Sequence, residues 1–345
     1  MYFSAQEMLA QLEGTDERIC DLVIKNEIEL FQTSYDEIMK NLEERYQIMY
    51  NCAHDALEKE IRSLSGLTGG SALKMWNYYK KGNSICDNTV IRGAAYALSC
   101  LEVNASMGLI VAAPTAGACG ILPGALLTVA EKYDVDHQRV LDALATASGI
   151  GQLIIKKATV SGAEGGCQAE CGSAAAMAAA AITEMLGGTP SQAFDAAAIA
   201  IQNIMGLVCD PVAGLVEMPC AKRNASGVAN ALVSADLALS GIFSEIPFDE
   251  VVEAMYKVGK ALPSTLRETA VGGVATTPTG LAMKDNIYGK VMSAAVEIVQ
   301  AAAAANLFLQ EKNQTGRRTP FFCAEKLHNS ERRMCLFLLS SSLFR

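Results

Sequence analysis

Three cysteines stand in segments where a thiolate can do chemistry: Gly166-Cys167-Gln168-Ala169-Glu170, Cys209-Asp210-Pro211 and Met218-Pro219-Cys220. The first follows a glycine-rich stretch and precedes a strongly helical run, so the partial positive charge of a helix N-terminus favours its anion. Cys220 follows a proline and opens the run Ala221-Lys222-Arg223-Asn224, with two cations beside it. Cys209 lies beyond a glycine helix stop at Gly206, where Asp210-Pro211 holds the backbone extended or turning. Three thiolates so placed make an incomplete cage for a four-cornered cluster. A metal ion with one position left open can polarise a substrate as a Lewis acid.

The three histidines, His54, His137 and His328, all lie in other segments. A metal held by these loops would therefore have all-thiolate ligation, which suits an iron–sulfur cluster or a structural zinc. Cys171 complicates the count, because it follows Cys167 at a spacing that shares a helix face. With Cys171 as a fourth ligand the centre is closed, structural or electron-transferring; without it the centre is open and catalytic. Spacing does not choose between these, since no C-x-x-C pair is present. Cys119, in a separate Gly-rich loop, is a further candidate neighbour. Cys20, Cys52, Cys86 and Cys100 sit in helical or mixed patterns and read as packing residues.

The elements that must position these thiols read as helices. From about Thr89 the chain is rich in Ala, Gly and Met and poor in β-branched and aromatic runs. Thr189-Pro190 places an N-cap before a proline at the first helical position, and that segment runs to Gly206 as its stop. Similar helices are predicted over Asp136–Gly149, Ser173–Gly187, Gly227–Gly241 and Phe248–Ala261. Residues 1–63 are acidic with apolar positions at helical spacing, which predicts two or three amphipathic helices with a solvated charged face. Between the helices lie loops rich in Gly or Pro at 63–70, 113–120, 161–166, 210–219 and 272–278. The expectation is an all-α, compact helical domain that carries these loops at one end.

Composition narrows the function classes. The 345 residues are 51% hydrophobic, ample for a large core. The net charge of −9 argues against a nucleic-acid partner, which needs clustered Lys and Arg. The most apolar stretches, Ser173–Met185 and Ala294–Leu309, are alanine-rich and interrupted by polar residues, so no membrane helix is expected. Met1-Tyr2-Phe3-Ser4-Ala5-Gln6-Glu7 lacks the pattern of a secretory signal. A cytoplasmic location follows as the expectation, with the 11 cysteines reduced.

Taken together, Ser65-Gly66-Leu67-Thr68-Gly69-Gly70, Asn104-Ala105-Ser106-Met107-Gly108, Ala113-Pro114-Thr115-Ala116-Gly117, Ser161-Gly162-Ala163-Glu164, Gly166-Cys167-Gln168 and the stretch from Cys209-Asp210-Pro211 to Cys220-Ala221-Lys222-Arg223-Asn224 closely resemble the α chain of the iron–sulfur-dependent L-serine dehydratases. The resemblance covers residues 1–290. It implies a [4Fe-4S] cluster on Cys167, Cys209 and Cys220, with one iron open to L-serine and Cys171 not a ligand. It also implies β-elimination of water, in which the cluster acts as a Lewis acid and the product becomes pyruvate and ammonia.

Ser65, Thr68, Gly69, Asn104, Ser106, Thr115, Arg223 and Asn224 would line the substrate site, with Lys222 beside them. Arg223 suits a carboxylate through its planar fork, or an ordinary ion pair. Ser161 and Glu164 are the candidates for catalytic groups, Glu164 as a base or merely as a helix cap. The family occurs as fused chains and as separate α and β chains. This sequence has no region of β-domain length before its first motif, so a β subunit is expected as partner. Residues 291–345, an alanine-rich helix followed by a basic, irregular tail, depart from the family pattern. Two rivals remain at this point: a pyridoxal-phosphate dehydratase, whose Ser-x-Lys-x-Arg-Gly lysine setting is absent, and a non-catalytic iron–sulfur or zinc subunit with Cys171 as the fourth ligand.

Overall fold

The computed structural model describes residues 2–289 together with 336–337. In chain order the helices are α1 (Ala5–Leu12), α2 (Ile19–Phe31), α3 (Tyr35–His54), α4 (Ser71–Lys81), α5 (Asn88–Ala105), α6 (Ile121–Tyr133), α7 (His137–Lys157), α8 (Gly162–Gly165), α9 (Ser173–Met185), α10 (Pro190–Gln202), α11 (Cys220–Leu239) and α12 (Phe248–Ala261). Residues 278–289 are also helical. The all-α expectation holds. The described sheet is a two-residue parallel pairing of β1 (Val111–Ala112) with β2 (Leu336–Phe337). Apart from that pair, the alanine-rich helix and tail expected beyond residue 290 lie outside the described residues.

The alanine-rich α9 is buried along its whole length. It packs against α6, α7, α10 and α11, so the bundle is built around it. Small side chains make this possible, because methyl groups allow helix axes to approach closely on every side. The outer helices are amphipathic. In α12 the buried residues Phe248, Val251, Val252, Met255 and Gly259 repeat at helical spacing, while Asp249 and Glu250 occupy the first turn and Lys260 the last, as the helix dipole favours. Burying a side chain such as Phe248 or Met255 contributes about 1.5–3 kcal/mol.

Capping follows the sequence where the signal is local. Thr189 Oγ1 accepts from the Gln192 amide at 3.2 Å and Gln192 Oε1 accepts from the Thr189 amide at 2.9 Å, a reciprocal box that starts α10. The start of α2 is capped from a distance. The Glu184 carboxylate of α9 accepts from the amides of Ile19 at 2.7 Å and Cys20 at 3.2 Å, and from Thr146 Oγ1 at 2.5 Å. Each buried amide left without it would cost about 1–3 kcal/mol, so Glu184 ties α2, α7 and α9 together.

Three helix boundaries differ from expectation, the first being α10, which ends at Gln202 and reaches Gly206 through turns rather than helix. Gly149 does not end α7, which continues to Lys157. A Cβ at Gly149 would lie 2.4 Å from Val23 Cγ2, and one at Gly151 would lie 3.1 Å from Met177 Sδ. These glycines serve close packing against α2 and α9 rather than termination. Likewise α11 begins at Cys220, seven residues before the expected Gly227, because nothing between Cys220 and Ser226 breaks a helix. Cys220 is thereby its first residue.

Candidate metal centre

The three cysteines converge in the fold. Cys167 immediately precedes a π-helical turn, Gln168–Gly172, which runs straight into α9. Such turns recur at functional sites because they re-aim side chains within a helix. Here the turn brings Cys171 Sγ to 3.4 Å from Cys167 Sγ. Gln168 locks the Cys167 turn in place: its side-chain nitrogen donates to the carbonyls of Gly165 and Met255, both at 2.9 Å, and its oxygen accepts from the Gly206 amide at 2.8 Å. Gly165 and Gly259 let α8 and α12 touch, since a Cβ at Gly259 would lie 2.7 Å from Gly165 Cα.

Cys209 is held by a second strap. Its amide donates to Leu266 O at 2.9 Å and its carbonyl accepts from the Glu268 amide at 2.7 Å. Cys167, Cys209 and Cys220 are all buried.

A carboxyl group sits among the thiols. Glu170 Oε1 accepts from Thr115 Oγ1 at 2.9 Å, and Oε2 lies 3.7 Å from Cys209 Sγ. The ligand atoms of Cys167, Glu170 and Cys209 all lie within 4.8 Å of one another. Glycine makes the room: a Cβ at Gly162 would stand 2.5 Å from Glu170 Oε2 and 3.0 Å from Cys209 Sγ. Cys220 Sγ is not part of that tight trio.

Arg223 supplies the cation. Its Nη2 pairs with Asp210 Oδ1 at 2.8 Å, its Nη1 donates to Val208 O at 2.9 Å, and it hydrogen-bonds the Cys167 sulfur. Hydrogen bonds from Cys171 and Cys209, and then the Arg223 charge, hold the Cys167 thiol well below its usual range despite burial. That anion acts on its neighbours. Its hydrogen bonds, followed by burial, hold Cys171 and Cys209 above the usual thiol range. Burial and then the Cys167 charge push Cys220 up to about 12 and Glu170 up to about 8. The same two causes raise Glu268.

The donor group thus carries one negative charge and resists a second. A bound metal brings the positive charge that lets the remaining thiols ionise and coordinate. Buried, convergent sulfurs without a nearby imidazole fit an iron–sulfur group. Among the described histidines, His54 faces Glu131 and His137 faces Glu43.

The other expected site residues divide. Thr115 reaches Glu170, as above. Asn224 is buried and staples the 115–120 loop to α11: Nδ2 donates to Gly117 O at 2.7 Å and Cys220 O at 3.0 Å, and Oδ1 accepts from the Gly120 amide at 3.0 Å. Asn104 Nδ2 supports the same loop through Ala116 O at 3.1 Å. Ser65 and Thr68 donate to opposite oxygens of the buried Glu217, at 2.7 and 2.6 Å, which docks their loop against the segment leading into Cys220. Gly69 pairs with Arg62 in an isolated bridge at the base of that loop.

Ser106 Oγ turns back to Val103 O at 2.8 Å. The Ser161 carbonyl starts α8 by accepting from Gly165 at 2.9 Å. Glu164 is exposed, 4.0 Å from Lys260, and does not face the thiols. Cys119 packs in a separate part of the core with Cys52 and Cys100.

Sequence reasoning missed Glu170, Glu217, Asp210 and Glu268 as members of the site. A signal for the first was present: Glu170 is the only charged residue between Glu164 and Glu184, in a run otherwise small and apolar. A charge placed so must be buried with a partner.

Comparison with known proteins agrees with this geometry. The chain is 44% identical over 289 residues to the "Probable L-serine dehydratase, alpha chain" of Bacillus subtilis, covering 84% of this chain and 96% of that protein. It is 49% identical over 280 residues to the "L-serine dehydratase, alpha chain" of Peptoniphilus asaccharolyticus, covering 81% and 96%. The "L-serine dehydratase" of Mycobacterium tuberculosis is 38% identical over 285 residues, covering 79% of this chain and 61% of that longer protein. Residues 15–275, which hold the three thiols, Glu170, Arg223 and the loops around them, match the family model of the serine dehydratase alpha chain, and the chain belongs to that family.

Proposed function

We propose that this chain carries the site that dehydrates L-serine to pyruvate and ammonia, with a [4Fe-4S] cluster held by Cys167, Cys209 and Cys220 and with a β chain as its partner. The single observation that carries this reading is the convergence of three buried thiols, contributed by three separate segments, with the half-buried Arg223 guanidinium hydrogen-bonded to the Cys167 sulfur. When bound, the cluster supplies a Lewis acid for the departing β-hydroxyl. The chemistry is an elimination: the Cα proton and the β-hydroxyl leave as water, and the enamine tautomerises and is hydrolysed to pyruvate and ammonia. It needs no net electron transfer.

The residues of the chain hold and insulate the centre. Arg223 balances the Cys167 thiolate, and because its fork is committed to Asp210, Val208 and that sulfur, it acts on the centre rather than on the substrate carboxylate. Glu170, held by Thr115, stays protonated at neutral pH and adds no second charge beside Cys209. Cys171 keeps its proton and donates it as a hydrogen bond to Cys167. Ser65, Thr68, Asn104 and Asn224 fix the surrounding loops.

Two features support the partner. The most similar relatives above are named as alpha chains, and a related protein of greater length contains more than this chain covers. The test is an anaerobic assay of pyruvate formed from L-serine, with iron and sulfide quantified in the same samples. The chain alone is expected to bind iron and sulfide yet turn over slowly. Adding the partner should raise the rate about a hundredfold, the size of effect that correct substrate positioning supplies. Full turnover by the chain alone would refute the partner dependence.

The 3.4 Å contact between Cys167 and Cys171 favours one second reading, a tetrahedral zinc site that includes both. Zinc without sulfide in those samples would establish it.

A further inference from the structure

A cavity of about 500 Å³ lies between α4, α5 and the start of α11, within the range that encloses small molecules. One wall is the loop that carries Thr68 and Gly69; the thiols are not among its lining residues. Met75, Leu98, Leu101 and Met218 make most of its surface apolar.

Four charged groups break that apolar lining, and one of them, Glu217, already has both oxygens held by Ser65 and Thr68. Glu102 is 3% exposed. Its Oε1 caps α4 by accepting from the amides of Ser71 at 2.5 Å and Ala72 at 3.3 Å, while its Oε2 is buried without a hydrogen-bond partner. An unsatisfied carboxylate oxygen in such a place costs free energy that a cationic N–H donor would recover. Lys74 and Lys222 also line the cavity, both exposed, and neither forms an ion pair among the described residues. The cavity therefore offers a buried anion at depth, an apolar middle and two free cations at its mouth.

We propose that this cavity binds an α-amino acid with a large apolar side chain, its ammonium on Glu102 and its carboxylate at Lys74 and Lys222. Each part of the ligand answers one part of the lining. The ammonium supplies the donor missing at Glu102 Oε2, the side chain packs on Leu98, Leu101 and the two methionines, and the carboxylate meets the lysines. Serine fits poorly, because its small polar side chain leaves the apolar walls uncovered. Burial holds the Glu102 carboxyl above its usual range, and an ammonium partner would bring it down. The inference does not rest on the serine reading of the thiol centre, since no thiol lines the cavity, although Thr68, Gly69 and Lys222 of its walls belong to the motifs expected at the substrate site.

The test is calorimetry on the anaerobically prepared enzyme with its partner chain, using L-phenylalanine as probe. Two analogues each lack one charge: 3-phenylpropanoate lacks the ammonium and 2-phenylethylamine lacks the carboxylate. L-Phenylalanine should bind one per chain, and both analogues should bind about tenfold or more weakly, as expected for loss of a hydrogen bond to a charged group. Glu102→Gln should weaken phenylalanine to the level of 3-phenylpropanoate. Met75→Trp, which fills the cavity and leaves the α4 cap intact, should abolish binding. Absence of phenylalanine binding would overturn the proposal, as would binding unchanged by Met75→Trp or serine binding to the same site with equal affinity.

Discussion

Alanine at Cys167, Cys209 or Cys220 will remove iron from the purified chain and lower L-serine turnover by at least about a thousandfold, because Lewis-acid polarisation of a leaving group is worth several kcal/mol. The loss should be accompanied by an unchanged helical circular-dichroism spectrum, since each cysteine ends a loop or begins a helix and none lies in the packed length of α9. Cys171→Ala should behave differently. Its thiol donates to the Cys167 anion and is held neutral there, so the variant should retain its iron and most of its activity. Iron content and turnover measured on the four variants check this directly. Full iron retention in any of the first three would remove that cysteine from the ligand set, and loss of iron in Cys171→Ala would make it a ligand.

The second large effect concerns Arg223. Replacing it by methionine keeps the length of the side chain but leaves Asp210, 3% exposed, without its cation. Breaking a buried pair by removing one partner costs about 3–5 kcal/mol, more than replacing both. Arg223→Met should lose that much stability in urea denaturation of the metal-free chain. Adding Asp210→Asn to it should recover part of the loss, because the orphaned charge is then gone. Asp210 Oδ2 also accepts from the Val274 amide at 2.7 Å, so the variant should loosen the 264–276 segment that straps Cys209. A loss below about 1 kcal/mol would place the pair among ordinary surface ion pairs.

Much of the fold was legible because its signals are local. Thr189, Pro190 and Gln192 sit within one turn, and their box formed as their residue types require. The alanine-rich run after Cys167 became the buried centre of the bundle, since alanine favours helix and its small methyl groups let neighbouring helices approach on all sides. Gly149 misled for the opposite reason. Its lack of a side chain serves contact with Val23, more than a hundred residues away in sequence, and no local pattern reveals that partner.

The site divides along the same line. The cysteines were legible from their loops and neighbours, but their geometry depends on groups that only the fold brings near. Glu217 meets Ser65 across 152 positions of sequence, and Thr115 meets Glu170 across 55. Glu164 stood in a persuasive motif, yet α8 turns it toward Lys260 and solvent, while Glu170 faces inward one π turn later. Arg223 was legible as a cation beside a cysteine. Its commitment to Asp210 and Cys167 needed the strap from Val208 to Pro211 to be in place.

Three cysteines of this chain are expected to hold an iron–sulfur cluster with one iron open to serine. Mössbauer spectra of the ⁵⁷Fe-loaded enzyme with its partner chain, recorded anaerobically before and after addition of L-serine, test it most directly. One iron of four should change its spectrum when serine is added, while the other three stay as they were. Four irons unaltered by serine, or a preparation that holds zinc and no sulfide, would contradict it.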